Sequence, residues 1–278
     1  MTATRQRLED RRWHWQHGPI DIVAEAEGAP DAVAAAHEAA WQRFKTVLTE
    51  LVAELPVLRQ PVHTGSNPLR GPIARRMWAA YAPSAPQFIT PMAAVAGSVA
   101  EELIACYERP GITRAWLNNG GDIALHLTPG TSVRSGIVGD LQDYVFDSEQ
   151  AAQLAGLFDI SSETPVRGIA TSGWRGRSLS MGIADSGTVL AATAAQADAA
   201  ATIIANAVNA EHPAIVRQPA NQCRDDSDLG ERLVTVDVPR LPPEVVQAAL
   251  DAGAAIAHAL QQRGLIWAAL MVCQEQAR

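Results

Sequence analysis

Lysine is almost missing from this chain. Lys45 is the only one, and every other basic side chain except histidine is arginine. Lys45 falls inside an apolar helical repeat, a poor setting for a Schiff base or for the lysine of a phosphate-binding loop, so the chemistry has to proceed largely without lysine. Cysteine is scarce as well. Cys106, Cys223 and Cys273 are odd in number, far apart and form no CxxC pair, which argues against a disulfide framework or a zinc site and suits reduced thiols in a cytoplasmic protein. No run of 18 apolar residues occurs, so no transmembrane helix is expected. The opening "MTATRQRLEDRRWHW" lacks the apolar core of a cleaved signal. An excess of positive charge is also missing: 30 acidic residues against 22 basic ones give a formal net charge of −8, the opposite of the basic face that nucleic-acid binders carry.

What is present describes a globular protein. Of 278 residues, 47% are hydrophobic and 19% charged, enough to bury a core in a single domain over 1–278. "RRWHWQH", "GP" and "IDIVAEAE" read as a strand pair around a turn. His14 and His17 sit at odd spacing on that strand, which sends them to opposite faces and not to one metal. Apolar residues from Val33 to Leu55 repeat at three to four positions, predicting a helix over Asp31–Leu55 closed by Pro56 and Pro61. A short helix over Ile73–Tyr81 carries Arg75 and Arg76, read as a solvated face or as part of an anionic ligand site. Thr90 is a candidate N-cap, with Pro91 in the first turn of a helix reaching Tyr107. The first two turns of that helix are nearly all Ala and Gly, which allows close packing or lets an anion approach the free N–H groups.

Further strands are expected at "ITRAWLNN", "DIALHL", "VRGIATSG", "SLSMGIAD" (closed by a "DSG" turn), "GTVLAAT", "RLVTVDVP" and "LIWAALMVCQ". Helices are expected at "AQADAAATIIANAVNA" and "PPEVVQAALDAGAAIAHALQQRG", and residues 217–231 read as a polar loop. There is no regular βαβ rhythm, so the fold class is α+β.

Three stretches carry candidate chemistry. In "NNGGD", Asn118, Asn119, Gly120 and Gly121 tolerate positive φ, so a tight turn is the minimum reading; it presents backbone N–H groups and the Asp122 carboxylate at one end of a sheet. Asp198 and Thr202 lie four apart on a helix and share a face, an oxygen pair suited to a hard divalent cation, or else a capping residue and a back-bonded hydroxyl. Thr171, Ser172 and Gly173 end a strand with hydroxyls and a glycine, which can cradle a phosphate or simply turn the chain.

In this order, a small-residue helix, "NNGGDI", "IATSG" and "ADAAAT" resemble the ApbE-like superfamily, best known for flavin transferases. The resemblance runs over about residues 88–210. With "GPIDIV" and "GIATSGWRGRSLSMGIAD" the chain looks like a cytoplasmic branch of it. The resemblance implies antiparallel sheets flanked by helices in a T-fold-type architecture. It implies a pocket for a small nucleotide-like ligand, FAD or FMN, with Mg²⁺ bridging ligand phosphates to protein oxygens. Asp198, Thr202 and a backbone carbonyl near Ala94–Val95 match the metal ligands. Asn119, Gly120 and Gly121 match the turn beside the nucleotide, Asp122 the candidate catalytic carboxylate, and Thr171, Ser172 and Gly173 the strand end near the phosphates. Two positions depart from the flavin transferases. Ala96 stands where they carry a lysine before the helix glycine, and Gly182 where they carry the histidine of an "H-I-x-D-P-x-T-G" run, of which Asp185 and Gly187 remain.

Overall fold

The computed structural model describes residues 2–9, 11–62, 66–81, 89–138 and 154–278. Contacts divide the chain into two compact units. The first is Met1–Val133 with Ile160–Ala170 and Leu190–Ala199; the second is Arg134–Asp159 with Thr171–Val189 and Ala200–Arg278.

The chain opens with β1 (Thr4–Arg7), β2 (Trp13–His17) and β3 (Ile20–Gly28), followed by α1 (Pro30–Leu58) and α2 (Pro72–Tyr81). A 3₁₀ turn over Pro91–Ala94 leads into α3 (Val95–Ile104), and β4 (Ile112–Asn119) and β5 (Asp122–Leu127) complete the first run. In the first unit β1 to β5 pair in chain order, all antiparallel, and β8 (Gly168–Ser172) adds to β5 through Ile123↔Ile169. Between them, β6 (Ser132–Val138) and β7 (Leu154–Ser161) form a two-stranded sheet. Then follow β9 (Ser186–Ala191), α4 (Ala194–Ala207), β10 (Val216–Pro219), the one-turn α5 (Ala220–Cys223) and β11 (Leu233–Asp237). Last come α6 (Pro243–Gln262), β12 (Ala268–Cys273) and β13 (Gln276–Ala277). Helices with antiparallel sheets make this an α+β protein, as its sequence pattern implied.

The core of the first unit is built by the periodicity of α1. Ala36, Ala40, Phe44, Val47 and Leu51 face inward and meet Trp15, Ile22 and Ala24 from the sheet and Val99 and Leu103 from α3. Fully burying the Phe, Val, Leu and Ile side chains among them stabilises by about 1.5–3 kcal/mol each. His14 and His17 do face opposite ways: the His14 ring lies 3.0 Å from the Asp21 carboxylate, whereas His17 is buried edge-on to Phe44.

Several local expectations are corrected. Pro56 does not close α1; it sits within the last turn, which runs on to Leu58. Thr90 caps the 3₁₀ turn with its carbonyl, which accepts the Ala93 N–H, and its hydroxyl makes no cap bond. Arg75 is exposed, as a solvated face requires, whereas Arg76 is half-buried and ion-paired. Its guanidinium lies 3.0 Å from Glu101 and 2.8 Å from Glu102, and Arg43 of α1 reaches the same Glu102 at 2.9 Å. The network fastens α1 and α2 to α3 and consumes the charge that a ligand would need.

The strand expected over "SLSMGIAD" does not form. Residues 178–185 are irregular, and Ser186 and Gly187 of the supposed turn already belong to β9. Backbone donors here find partners outside a ladder: Ile183 N–H bonds Val208 O at 2.8 Å and Asp185 N–H bonds Val272 O at 2.9 Å. Residues 217–231 are not all loop either. β10 pairs with β11 from Val216↔Asp237 to Pro219↔Leu233, so a distant partner creates a strand that local composition hides.

One buried pair makes stability depend on pH. His37 of α1 is buried and its Nδ1 meets the Tyr107 hydroxyl at 2.7 Å. Burial, reinforced by the Arg7 charge, pulls its pKa from 6.5 down to about 4. The unfolded chain therefore binds the proton first. The stability due to neutral His37 is fully present above pH 6.5 and is lost as pH falls toward about 4. Thermal melts across that window are expected to show a steeper acid-side fall in wild type than in His37→Leu; parallel curves would refute this.

Candidate functional site

The turn in "NNGGD" is as tight as its composition allows. Asn119 and Asp122 pair directly across the hairpin, leaving Gly120 and Gly121 as a two-residue loop with φ of 64° and 115°. Two positive φ values in a row are what a type I′ hairpin demands, and glycine meets them without strain. The Asn118 carboxamide accepts the Gly121 N–H at 2.7 Å and fixes the loop. A Cβ on Gly121 would meet nothing within 4 Å, so its outer side is open.

Inward of the turn, Asn119 and Asp122 are buried, 4% and 9% exposed. α3 begins with no side-chain cap of its own, and the missing acceptor comes from another helix. Asp198 of α4 takes the Gly97 N–H on Oδ2 at 2.9 Å, with the Ala96 N–H as a further donor. The arrangement is reciprocal: Glu101 of α3 takes the Ala195 N–H at the start of α4 at 3.1 Å. Two helices thus cap each other, and the small residues follow from it. A Cβ on Gly97 would lie 2.3 Å from Ala194 O and 2.8 Å from the Asp198 Cβ. The Gly/Ala-rich start of α3 is therefore a steric requirement of this contact.

Asp198 has a second neighbour. Its pKa stands well above the ordinary carboxylate range, first because burial penalises the charge and second because the Asp122 carboxylate repels it; the two backbone N–H groups offset only part of this. The Asp122 charge thus makes ionisation of Asp198 costlier near the start of α3. Among the described residues, no cluster of three or more His, Cys, Asp or Glu side chains could hold a metal ion. Any cation here would rely on two carboxylates and on neutral oxygens.

Of the residues expected at a site, Asn119, Asp122 and Asp198 are brought together with the Ala96–Gly97 peptide, two residues along from Ala94. Gly120 and Gly121 form the turn between the first two. Thr202 stands one turn beyond Asp198 on α4 and belongs to the second unit. In that unit the Thr171 hydroxyl is 3.0 Å from that of Thr188, and a Cβ on Gly173 would lie 2.4 Å from Asp185 O, so close packing explains the glycine. Asp185 is buried, accepting the Trp174 indole N–H at 3.1 Å and the Gln274 N–H at 2.6 Å. Sequence reading missed Glu101 and the Ala96–Gly97 peptide. The capping residues stand about a hundred positions from their partners, and nothing local marks them.

The chain belongs to the family described as AbpE bacteria, whose profile matches residues 5–278. It is 37% identical over 166 residues to the UPF0280 protein MK0206 of Methanopyrus kandleri, covering 57% of this chain and 62% of that one. It is 31% identical over 189 residues to a UPF0280 protein of Methanosarcina acetivorans, covering 67% and 69%. The chain thus spans less than two thirds of the length of the first of these relatives. The crystal structure of the ApbE protein from Thermotoga maritima is similar over 99% of this chain and 96% of that one, with a TM-score of 0.46 and 12% identity. No helix among the described residues is long and apolar enough to cross a membrane.

Proposed function

We propose that this protein is an enzyme that binds a flavin nucleotide, FAD or FMN, with Mg²⁺ and acts on its phosphate linkage. The observation that carries the reading is the convergence of Asp122 and Asp198 at the start of α3. Two carboxylates that repel each other where water is scarce fit a hard divalent cation, whose charge offsets both. Asp198 would hold the ion and Asp122 would supply the second charge and accept a proton from the attacking group. Bound Mg²⁺ supplies neutralisation and polarisation of phosphoryl oxygens. The chain's own contribution is orientation: the Gly97 N–H fixes one oxygen of Asp198, and the open side of Gly121 leaves a ligand room to approach the backbone. Residues of the second unit are not needed for this reading. The family resemblance supports the nucleotide as ligand.

A second reading, favoured by the crowding around Gly182, is an ApbE-like protein that binds the nucleotide but does not transfer it, or that serves a different biosynthetic reaction. The absorption spectrum of the purified protein, with mass spectrometry of what is released on denaturation, tests for the flavin; turnover with Mg²⁺ separates enzyme from binder.

Asp198→Asn separates a cation ligand from a mere cap. Asparagine keeps one acceptor for Gly97 and removes the repulsion with Asp122. Relief of the repulsion offsets any loss of the Ala96 N–H bond, so the metal-free variant is expected to melt close to the wild-type temperature. Calorimetry should show its Mg²⁺-dependent FAD binding weakened by about 1–3 kcal/mol, the cost of losing a charge-assisted contact. A variant that melts lower and binds Mg²⁺ like wild type would leave Asp198 as a helix cap only.

A further inference from the structure

The Asn119 side chain is engaged within the protein at both ends of its carboxamide. Its Nδ2 donates to Ala96 O at 3.1 Å, and its Oδ1 accepts the Asp21 N–H at 3.4 Å. Only one orientation of the carboxamide satisfies both: turned over, it would set oxygen against oxygen and N–H against N–H. Ala96 O and the Gly97 N–H belong to the same peptide group. That group is held at its oxygen by Asn119 and hands its hydrogen to Asp198 Oδ2 at 2.9 Å. A continuous line of donors and acceptors runs from the β3 backbone at Asp21 through the Asn119 amide and the 96–97 peptide to the Asp198 carboxylate. Each bond polarises the next, so a donor placed on Ala96 O makes the Gly97 N–H a stronger donor.

We propose that Asn119 is a positioning residue rather than a ligand contact: through the Ala96–Gly97 peptide it sets the orientation of Asp198 and thereby the affinity of that carboxylate for its cation. The effect on the cation rests on the function proposed above; the link from Asn119 to Asp198 does not. The steric closure at Gly97 makes the link stiff. With Ala194 O only 2.3 Å from where a Cβ would stand, the peptide has little freedom to tilt, and a push at its oxygen reaches its N–H. Removing such an outer support from a metal ligand typically costs roughly 10–100-fold in metal affinity.

The experiment uses the full chain with Asn119→Ala and Asn119→Asp. The aspartate keeps the shape and the acceptor for Asp21 N–H but sets an oxygen against Ala96 O. Thr113→Ala, which removes a hydroxyl bond to Glu27 O at 3.1 Å, serves as a control for general loosening of β4. Two quantities are read: the Gly97 amide resonance and its hydrogen-exchange rate, and Mg²⁺ affinity by calorimetry with Mg²⁺ alone. Both Asn119 variants are expected to shift the Gly97 amide and speed its exchange, the aspartate more strongly, and to weaken Mg²⁺ by roughly 10–100-fold, while Thr113→Ala changes neither. An unmoved Gly97 amide in both variants would overturn the positioning role. A moved amide with unchanged Mg²⁺ affinity would overturn the second step. Wild-type protein that binds no Mg²⁺ would refute the metal site itself, and the Gly97 amide would still decide whether Asn119 governs Asp198.

Discussion

Restoring histidine at position 182, the residue that the flavin transferases carry there, is expected to cost this protein its fold rather than give it their activity. A Cβ at Gly182 would lie 2.0 Å from Ala205 O, 2.8 Å from Val208 O and 2.9 Å from the Asn206 Cα. All three are backbone atoms at the end of α4 or just after it, and backbone cannot swing aside as a long side chain can. The same stretch is pinned by the Ile183 N–H on Val208 O and by the Met181 N–H on the Asn206 carboxamide at 2.9 Å. Relief would require pulling 180–183 off the helix and breaking these bonds. Overpacking alone costs about 1–3 kcal/mol, and the lost buried hydrogen bonds add about 1–3 kcal/mol for each group left without a partner. Against a total stability of about 5–15 kcal/mol for an ordinary domain, Gly182→His should be largely unfolded or insoluble, and Gly182→Ala should already melt well below wild type. Thermal melts of both check this. A histidine variant that melts like wild type would mean that the α4 end yields freely.

How much of this was legible in the sequence depends on how local the cause is. The "NNGGD" turn was readable because two adjacent glycines with positive φ are a property of five residues. α1 and α6 were readable because a period near 3.6 needs only the helix itself. In the sequence Asp198 stands out by sharing a face with Thr202, which is half of its setting. Its bonds to the start of α3 join residues a hundred positions apart, and no spacing rule reaches that far. "SLSMGIAD" alternates like a strand, yet its backbone donors bond Val208 O and Val272 O, acceptors that only the folded chain brings near. β10 fails in the opposite sense: "RQPANQ" has loop composition, and pairing with β11 makes part of it a strand. The departures from the flavin transferases, read from sequence as missing side chains, are also steric facts. Gly182 has no room for a side chain, whereas Ala96 is only half-buried.

Transfer of FMN to a protein threonine breaks a pyrophosphate bond, builds charge on the leaving phosphate and requires a docked acceptor. A lysine at position 96 and a histidine at position 182 are the groups the flavin transferases bring to it, and this chain has neither. Each can cost about 2–4 kcal/mol if it stabilises transition-state charge, by analogy with a lost oxyanion donor. If the two losses are roughly additive, the rate falls by about a thousandfold or more. Wild-type protein given Mg²⁺, FAD and a standard flavinylation acceptor is therefore expected to transfer little or no FMN while still binding the nucleotide. Ala96→Lys is the informative partner variant. Its backbone already hydrogen-bonds Asp198 and Asn119, and its half-buried side chain can lengthen toward solvent. It should fold with a melting temperature close to wild type and still transfer no FMN, because the second group cannot be put back. Efficient transfer by the wild-type protein, read as acceptor mass increase, would show that other groups have taken over both roles.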